Sequence, residues 1–133
     1  MIFKYDAKGC TKDAIQIYKE NKNKIGEICK ATMTIKDESI LSLYDKEENE
    51  LRIISGLDSG YGGEGPHGLL WVLRDAGFIV REQFVFEQNV FTIKKIKLEN
   101  HRYNIEEGNY KVIENVICRN KTYDLPVLYV IKF

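Results

Sequence analysis

Half of the chain's ten glycines fall within ten residues, Ser59-Gly60-Tyr61-Gly62-Gly63-Glu64-Gly65-Pro66-His67-Gly68. An apolar run, Leu51 to Ile54, comes before this segment. Apolar residues at helical spacing, Leu69 to Ala76, come after it. Glycine lets a ligand approach the main chain closely and adopts positive φ, expected here at Gly62, Gly63 or Gly65. Proline at the first helical position starts a helix whose early N–H groups have no acceptor. A strand, a glycine loop and a helix start in that order can hold an anion, usually a phosphate. The candidate ligand-binding set is therefore Gly60, Tyr61, Gly62, Gly63, Glu64, Gly65, His67 and Gly68, extended by Trp71, Arg74 and Arg81.

Each member has a chemical reading and a plain one. Tyr61 and Trp71 either stack on a base or cover the core. Arg74 and Arg81, with Arg52 and Arg119 on strands, either neutralise a phosphate or sit at the surface. Glu64 repels a phosphate placed beside it, so it reads as a ribose partner or as a helix cap. His67 either donates to a phosphate, acts as a general acid or simply begins the helix. The glycines themselves also make a tight turn without any ligand. No Gly-Lys-Ser/Thr follows, so this is not a P-loop. The glycine spacing does not match a dinucleotide fingerprint either.

A catalytic set does not assemble. Cys10, Cys29 and Cys118 are candidate nucleophiles, and His67 and His101 candidate bases, but none has a complete triad around it. Asp58 and Glu64 flank the loop as candidate paired carboxylates or Mg²⁺ ligands. Two histidines and no close cysteine pair argue against zinc. The expectation is a protein without cofactor or metal that binds rather than catalyses.

The stretch Gly60-Tyr61-Gly62-Gly63-Glu64-Gly65-Pro66, followed by Leu69, Leu70 and Leu73, resembles a Gly-Tyr-x-Gly-x-Gly-Pro segment in small uncharacterised proteins of prokaryotes and their phages. That family carries no activity to transfer. In size and mixed character the chain is also similar to phage proteins that sequester nucleotide immune signals, an analogy of class alone. Two functions follow as expectations. One is non-catalytic binding of a phosphate-bearing, nucleotide-like small molecule, such as a sequestered immune signal. The other is a protein that blocks a toxin or a defence enzyme.

Composition bounds these readings. The chain has 133 residues, enough for a single domain with one core. Hydrophobic residues make up 44% and charged residues 30%, a globular balance rather than a disordered one. Basic and acidic residues number 20 each, so broad nucleic-acid binding is not expected. The N-terminal residues alternate and carry charge, and no apolar run reaches membrane-spanning length. Three widely spaced cysteines suggest reduced thiols, hence a cytoplasmic protein.

The elements that position the loop are read from periodicity. Strands are expected at 2–6, 29–36, 39–45 and 50–56, the last three as an antiparallel meander. Helices are expected at 11–25, with Thr11 as N-cap and Gly26 as C-cap, and at 66–77, ended by Gly77. Alternating Phe84 and Phe86 predict a strand at 80–88. A parity slip at Lys94-Lys95 predicts a bulge or a bend in a strand at 90–98. A polar loop, 99–109, leads to a hairpin of 110–119 and 122–133, with Pro126 at a strand start or edge. The fold class is α+β: one domain over 1–133, a largely antiparallel sheet and two helices. Val127 to Phe133 is apolar on both sides, which predicts a homodimer covering one face.

Overall fold

The structure is a computed structural model. It describes the backbone of residues 1–78, 80–97, 110–114, 117–118, 121–122 and 127–132, and the side chains of 1–78 and 80–95. In chain order the elements are β1 (Ile2–Asp6), α1 (Thr11–Asn21), a 3₁₀ turn (Lys22–Lys24), β2 (Lys30–Ile35), β3 (Ser39–Tyr44), β4 (Glu50–Ile54), α2 (Glu64–Asp75) and α3 (Glu82–Glu87). Five strands follow: β5 (Phe91–Lys97), β6 (Tyr110–Glu114), β7 (Ile117–Cys118), β8 (Lys121–Thr122) and β9 (Val127–Lys132). Among the described residues seven strands form one sheet in the order β1-β4-β3-β2-β5-β9-β6, and β7 pairs with β8. Only the β1–β4 pair is parallel among those described; the others are antiparallel. This is an α+β domain.

Period two decides which face is buried. The register aligns Leu51, Leu43, Ala31 and Ile93 across four strands, and Ile53, Leu41, Met33 and Phe91 one step along. All eight are buried. They share one core with Ala14 and Tyr18 of α1, Leu69, Val72 and Leu73 of α2, and Phe84 and Val85 of α3. The helices thus cover a single face of the sheet. Leu69, Val72 and Leu73 are shut off from water completely, and burying each stabilises the fold by roughly 1.5–3 kcal/mol.

The opposite face is polar. Lys4, Arg52, Ser42, Thr32 and Thr92 stand in register across it. The next row is Glu50, Tyr44, Lys30 and Lys94. Ile40 and Ile54 pair further along.

Several sequence expectations change. Helix α1 ends at Asn21, with Lys22–Lys24 continuing as 3₁₀. Its N-cap is Cys10, and Thr11 is the first helical residue, donating its hydroxyl to the carbonyl of Gly56 at 2.6 Å. Gly26 caps nothing: Ile25 before it is already extended, and the Gly26 N–H goes to Asp45. The expected strand at 80–88 is helix α3. Phe84 and Val85 are adjacent and both buried, a helical pattern, and Phe84 packs its ring on Phe91. Glu82 sits in the first turn, where the dipole favours a carboxylate.

The parity slip at Lys94-Lys95 is not a bulge. Strand β5 pairs with β9 without interruption from Thr92 to Lys97. Lys95 instead occupies the inner face, where an apolar residue was expected. Its ammonium donates to the carbonyl of Ala76 at 2.7 Å, closing the C-terminus of α2 over Phe78. Burial lowers its pKa. A bulge does occur, in β6 between Val112 and Glu114. The end of α2 matches expectation: Gly77 has φ +99°, its N–H reaches Arg74 and that of Phe78 reaches Leu73. Cys118 pairs with Lys121 in the C-terminal hairpin, while Pro126 lies outside the described residues.

Candidate functional site

The glycine segment leaves β4 through a loop and enters α2 two residues earlier than expected. Gly63 is the N-cap, Glu64 the first helical residue and Pro66 the third. Proline is tolerated in a first turn because those N–H groups lack helical acceptors. The N–H of His67 is already satisfied by the carbonyl of Gly63 at 3.0 Å. The anion-facing donors expected at His67 and Gly68 are therefore absorbed into the helix. Glu64 and Gly65 keep N–H groups with no acceptor among the described residues.

Left-handed backbone was expected at Gly62, Gly63 or Gly65. None has it. Gly60 does, with φ +94°. There the chain turns so that the Gly60 N–H reaches the carbonyl of Val85 at 2.8 Å, while the Ser59 hydroxyl reaches that of Asn89 at 2.8 Å. These two bonds tie the loop to α3 and to the turn that follows it. A β-carbon on Gly60 would overlap the Asn89 side chain.

The other glycines admit neighbours rather than a ligand. A β-carbon on Gly65 would meet a carboxylate oxygen of Asp58, and one on Gly63 would meet the ring of Tyr61. Gly68 is buried against Thr11, Leu57 and Ile15, letting α2 approach α1. Gly62 has open space around it. Asp58 thus lies against the start of α2, beside the position a phosphate would take, and Glu64 stands in the same first turn. Two carboxylates oppose an anion there.

Tyr61 is 51% exposed yet fixed. Its hydroxyl bonds to both oxygens of Asp58, at 3.0 and 2.8 Å, and this raises the phenol's pKa. His67 is exposed one turn into α2; its Nδ1 bonds to the Gly63 carbonyl at 2.7 Å, so that nitrogen carries the proton and Nε2 is left outward. Its ring packs on Phe86, with centroids 4.9 Å apart.

The rest of the candidate set is elsewhere. Trp71 lies seven residues beyond Glu64, about 10 Å along the axis. It packs edge-on against Tyr18, with Lys19 over its ring at 4.9 Å. Arg74 is in the last turn of α2, about 15 Å from the first, and both its Nε and Nη2 donate to the carbonyl of Val80. Arg81 is the N-cap residue of α3. Arg52 belongs to the polar face of the sheet, paired with Glu50 at 2.6 Å. Arg119, His101 and the Cys118 side chain lie outside the described residues. The loop therefore brings together Gly60 to Gly65 with His67 and Gly68. Of the described arginines, Arg52 and Arg74 are engaged away from it.

Cys10 is exposed and Cys29 half-buried; neither is hydrogen-bonded to His67 among the described residues. No group of three His, Cys, Asp or Glu side chains poised for a metal occurs among them. Nor is any described helix long and apolar enough to cross a membrane. Two open clefts, of about 290 and 300 Å³, lie by α1 (Asp6, Asp13, Glu20) and by the β3–β4 turn (Lys24, Asp45, Glu47), away from the glycine loop. No protein-family model matches the chain, and neither does a curated protein or a solved structure.

Sequence reading missed Asp58 as the loop's internal anchor, Asn89 as its tether and the polar face of the sheet. Asp58 to Tyr61 is a three-residue spacing inside a loop, a signal too common to single out. The tether depends on α3, which was read as a strand.

Proposed function

We propose that the chain is a non-catalytic binding protein that meets a macromolecular partner at the Tyr61–His67 corner. The observation that carries this reading is the anchored exposure of Tyr61. A half-exposed aromatic whose hydroxyl is held by one carboxylate, in a bifurcated hydrogen bond, loses little side-chain entropy on docking, which is how interface anchors work. His67 beside it adds a hydrogen-bonding edge. This corresponds to the blocking protein expected as one of two alternatives.

The other alternative, a phosphate-bearing nucleotide held as a sequestered signal, keeps one observation in its favour: the unsatisfied N–H groups of Glu64 and Gly65. It requires Asp58 to turn away from the helix start. The homodimer expected through Val127 to Phe133 is a separate reading. The test is a photoreactive phenylalanine analogue placed at position 61, with Lys12 on α1 as control site. A discrete adduct from position 61 alone supports the partner reading. An adduct of twice 15.5 kDa makes the partner a second copy. No adduct, together with a melting-temperature rise on adding mononucleotides or cyclic nucleotides, replaces it with the nucleotide reading.

A further inference from the structure

The side chains of the Tyr61–His67 corner turn acceptors and aromatic faces outward. The Tyr61 hydroxyl commits its one hydrogen to Asp58, in a bond shared between the two carboxylate oxygens at 3.0 and 2.8 Å. That leaves oxygen lone pairs and a half-exposed ring for a partner. His67 is arranged in the same way. Its Nδ1–H goes to the Gly63 carbonyl at 2.7 Å, so Nε2 of the neutral ring can only accept. The ring itself rests on Phe86, with centroids 4.9 Å apart.

Two carboxylates frame these groups. Glu64 opens α2, three residues before His67. Glu87 ends α3, in a stretch that the loop holds on both sides. The Gly60 N–H bonds to the carbonyl of Val85, and the Ser59 hydroxyl to that of Asn89. A carboxylate at the last turn of a helix meets the negative end of the dipole, so α3 gives no reason for Glu87. Among the described residues neither carboxylate is in an ion pair. Tyr61 is 51% exposed, and Glu64, His67 and Glu87 are exposed in the folded chain. The free N–H groups of Glu64 and Gly65 are the exception to this acceptor surface. They belong to the turn against which Asp58 packs, where a β-carbon on Gly65 would overlap its carboxylate.

We infer that the partner met at this corner presents an arginine-bearing basic protein segment, its guanidinium groups laid over the Tyr61 ring and donating to Glu64, Glu87 and His67 Nε2. Arginine carries donors and no acceptor, stacks on aromatic faces and forks onto carboxylates. It is the complement of a surface made of acceptors, rings and unpaired negative charge. The inference rests on the reading of this corner as a partner surface, and it adds the chemistry of that partner.

The test uses a fluorescein-labelled peptide of alternating arginine and glycine in anisotropy titrations at low salt. Glu64→Gln/Glu87→Gln weakens binding about fivefold, and Tyr61→Leu about two- to fivefold. Glu64→Asp/Glu87→Asp keeps binding, as does the control Glu20→Gln/Glu38→Gln, which removes the same charge elsewhere. Melting curves confirm that every variant is folded. The same peptide with lysine for arginine binds more weakly, because an ammonium neither forks nor stacks. Absence of arginine-peptide binding overturns the inference, as does equal weakening by corner and control variants or equal binding of the lysine peptide. A second arm separates this failure from that of the corner itself. If a photoreactive group at position 61 yields a protein adduct that excess arginine peptide does not diminish, the corner keeps its partner and the arginine chemistry is wrong. If no protein adduct forms there, both readings fall.

Discussion

A glycine's role is decided by what stands next to it, and this loop shows three different answers. Gly60 supplies a backbone conformation, Gly65 and Gly68 supply space for a neighbour, and Gly62 supplies neither. Alanine at position 68 would drive a β-carbon to 2.5 Å from Thr11 and 3.0 Å from Leu57. Forcing α1 and α2 apart costs about 1–3 kcal/mol, seen as a lower melting temperature. Alanine at position 62 meets nothing within 4 Å and leaves the melt within about 0.5 kcal/mol of wild type. Equal losses at both positions would mean that the cluster acts through its flexibility and not its packing. The glycine count was plain in the sequence. Which glycine does what was not, because two of the deciding neighbours, Asn89 and Thr11, come from other parts of the chain.

At the scale of the element, the β3–β4 turn is organised by a single carboxylate. Asp45 accepts the N–H groups of Gly26, Glu47 and Asn49 and the Asn49 side chain, all at 2.9 Å. These bonds, led by that of Asn49, bring its pKa from 3.8 to about 2. A depressed carboxylate stabilises the fold above its unfolded value, and the contribution disappears as pH falls through the folded one. Wild-type protein should therefore lose stability between pH 4 and about 2 relative to Asp45→Asn. Denaturant melts at several pH values check this, and a constant gap between the two proteins would remove Asp45 from that role. Strands β1 to β4 and helix α2 were legible because each keeps one period over its length. Helix α3 was misread because six residues with two alternating phenylalanines satisfy either period. Lys95 was misread because its long stem belongs inside while its charge serves the end of α2.

For the whole molecule the contrast is between two surfaces. The helix side holds the Tyr61 corner, with its two carboxylates; the polar sheet face holds Lys4, Arg52, Lys30 and Lys94. The sequence presented neither as a surface, since net charge is a sum and a face is a consequence of register. Lys30 and Lys94 meet only because β2 and β5 are neighbours, although 64 positions separate them.

The parallel pairing of β1 sets the order in which this protein can assemble. Strands β2, β3 and β4 follow one another through short turns, so their contacts close early and at small entropic cost. Ile2 finds Glu50 across 48 positions, after α1 and the whole meander have been laid down. Among the described residues the strand is also at the edge, paired with β4 alone. It should form late and open first. Amide hydrogens of Phe3 and Tyr5 then exchange through a local opening while those of Leu41 and Leu43 wait for global unfolding. The N-terminal strand is in effect a latch, and its release uncovers the inner edge of β4 without melting the core.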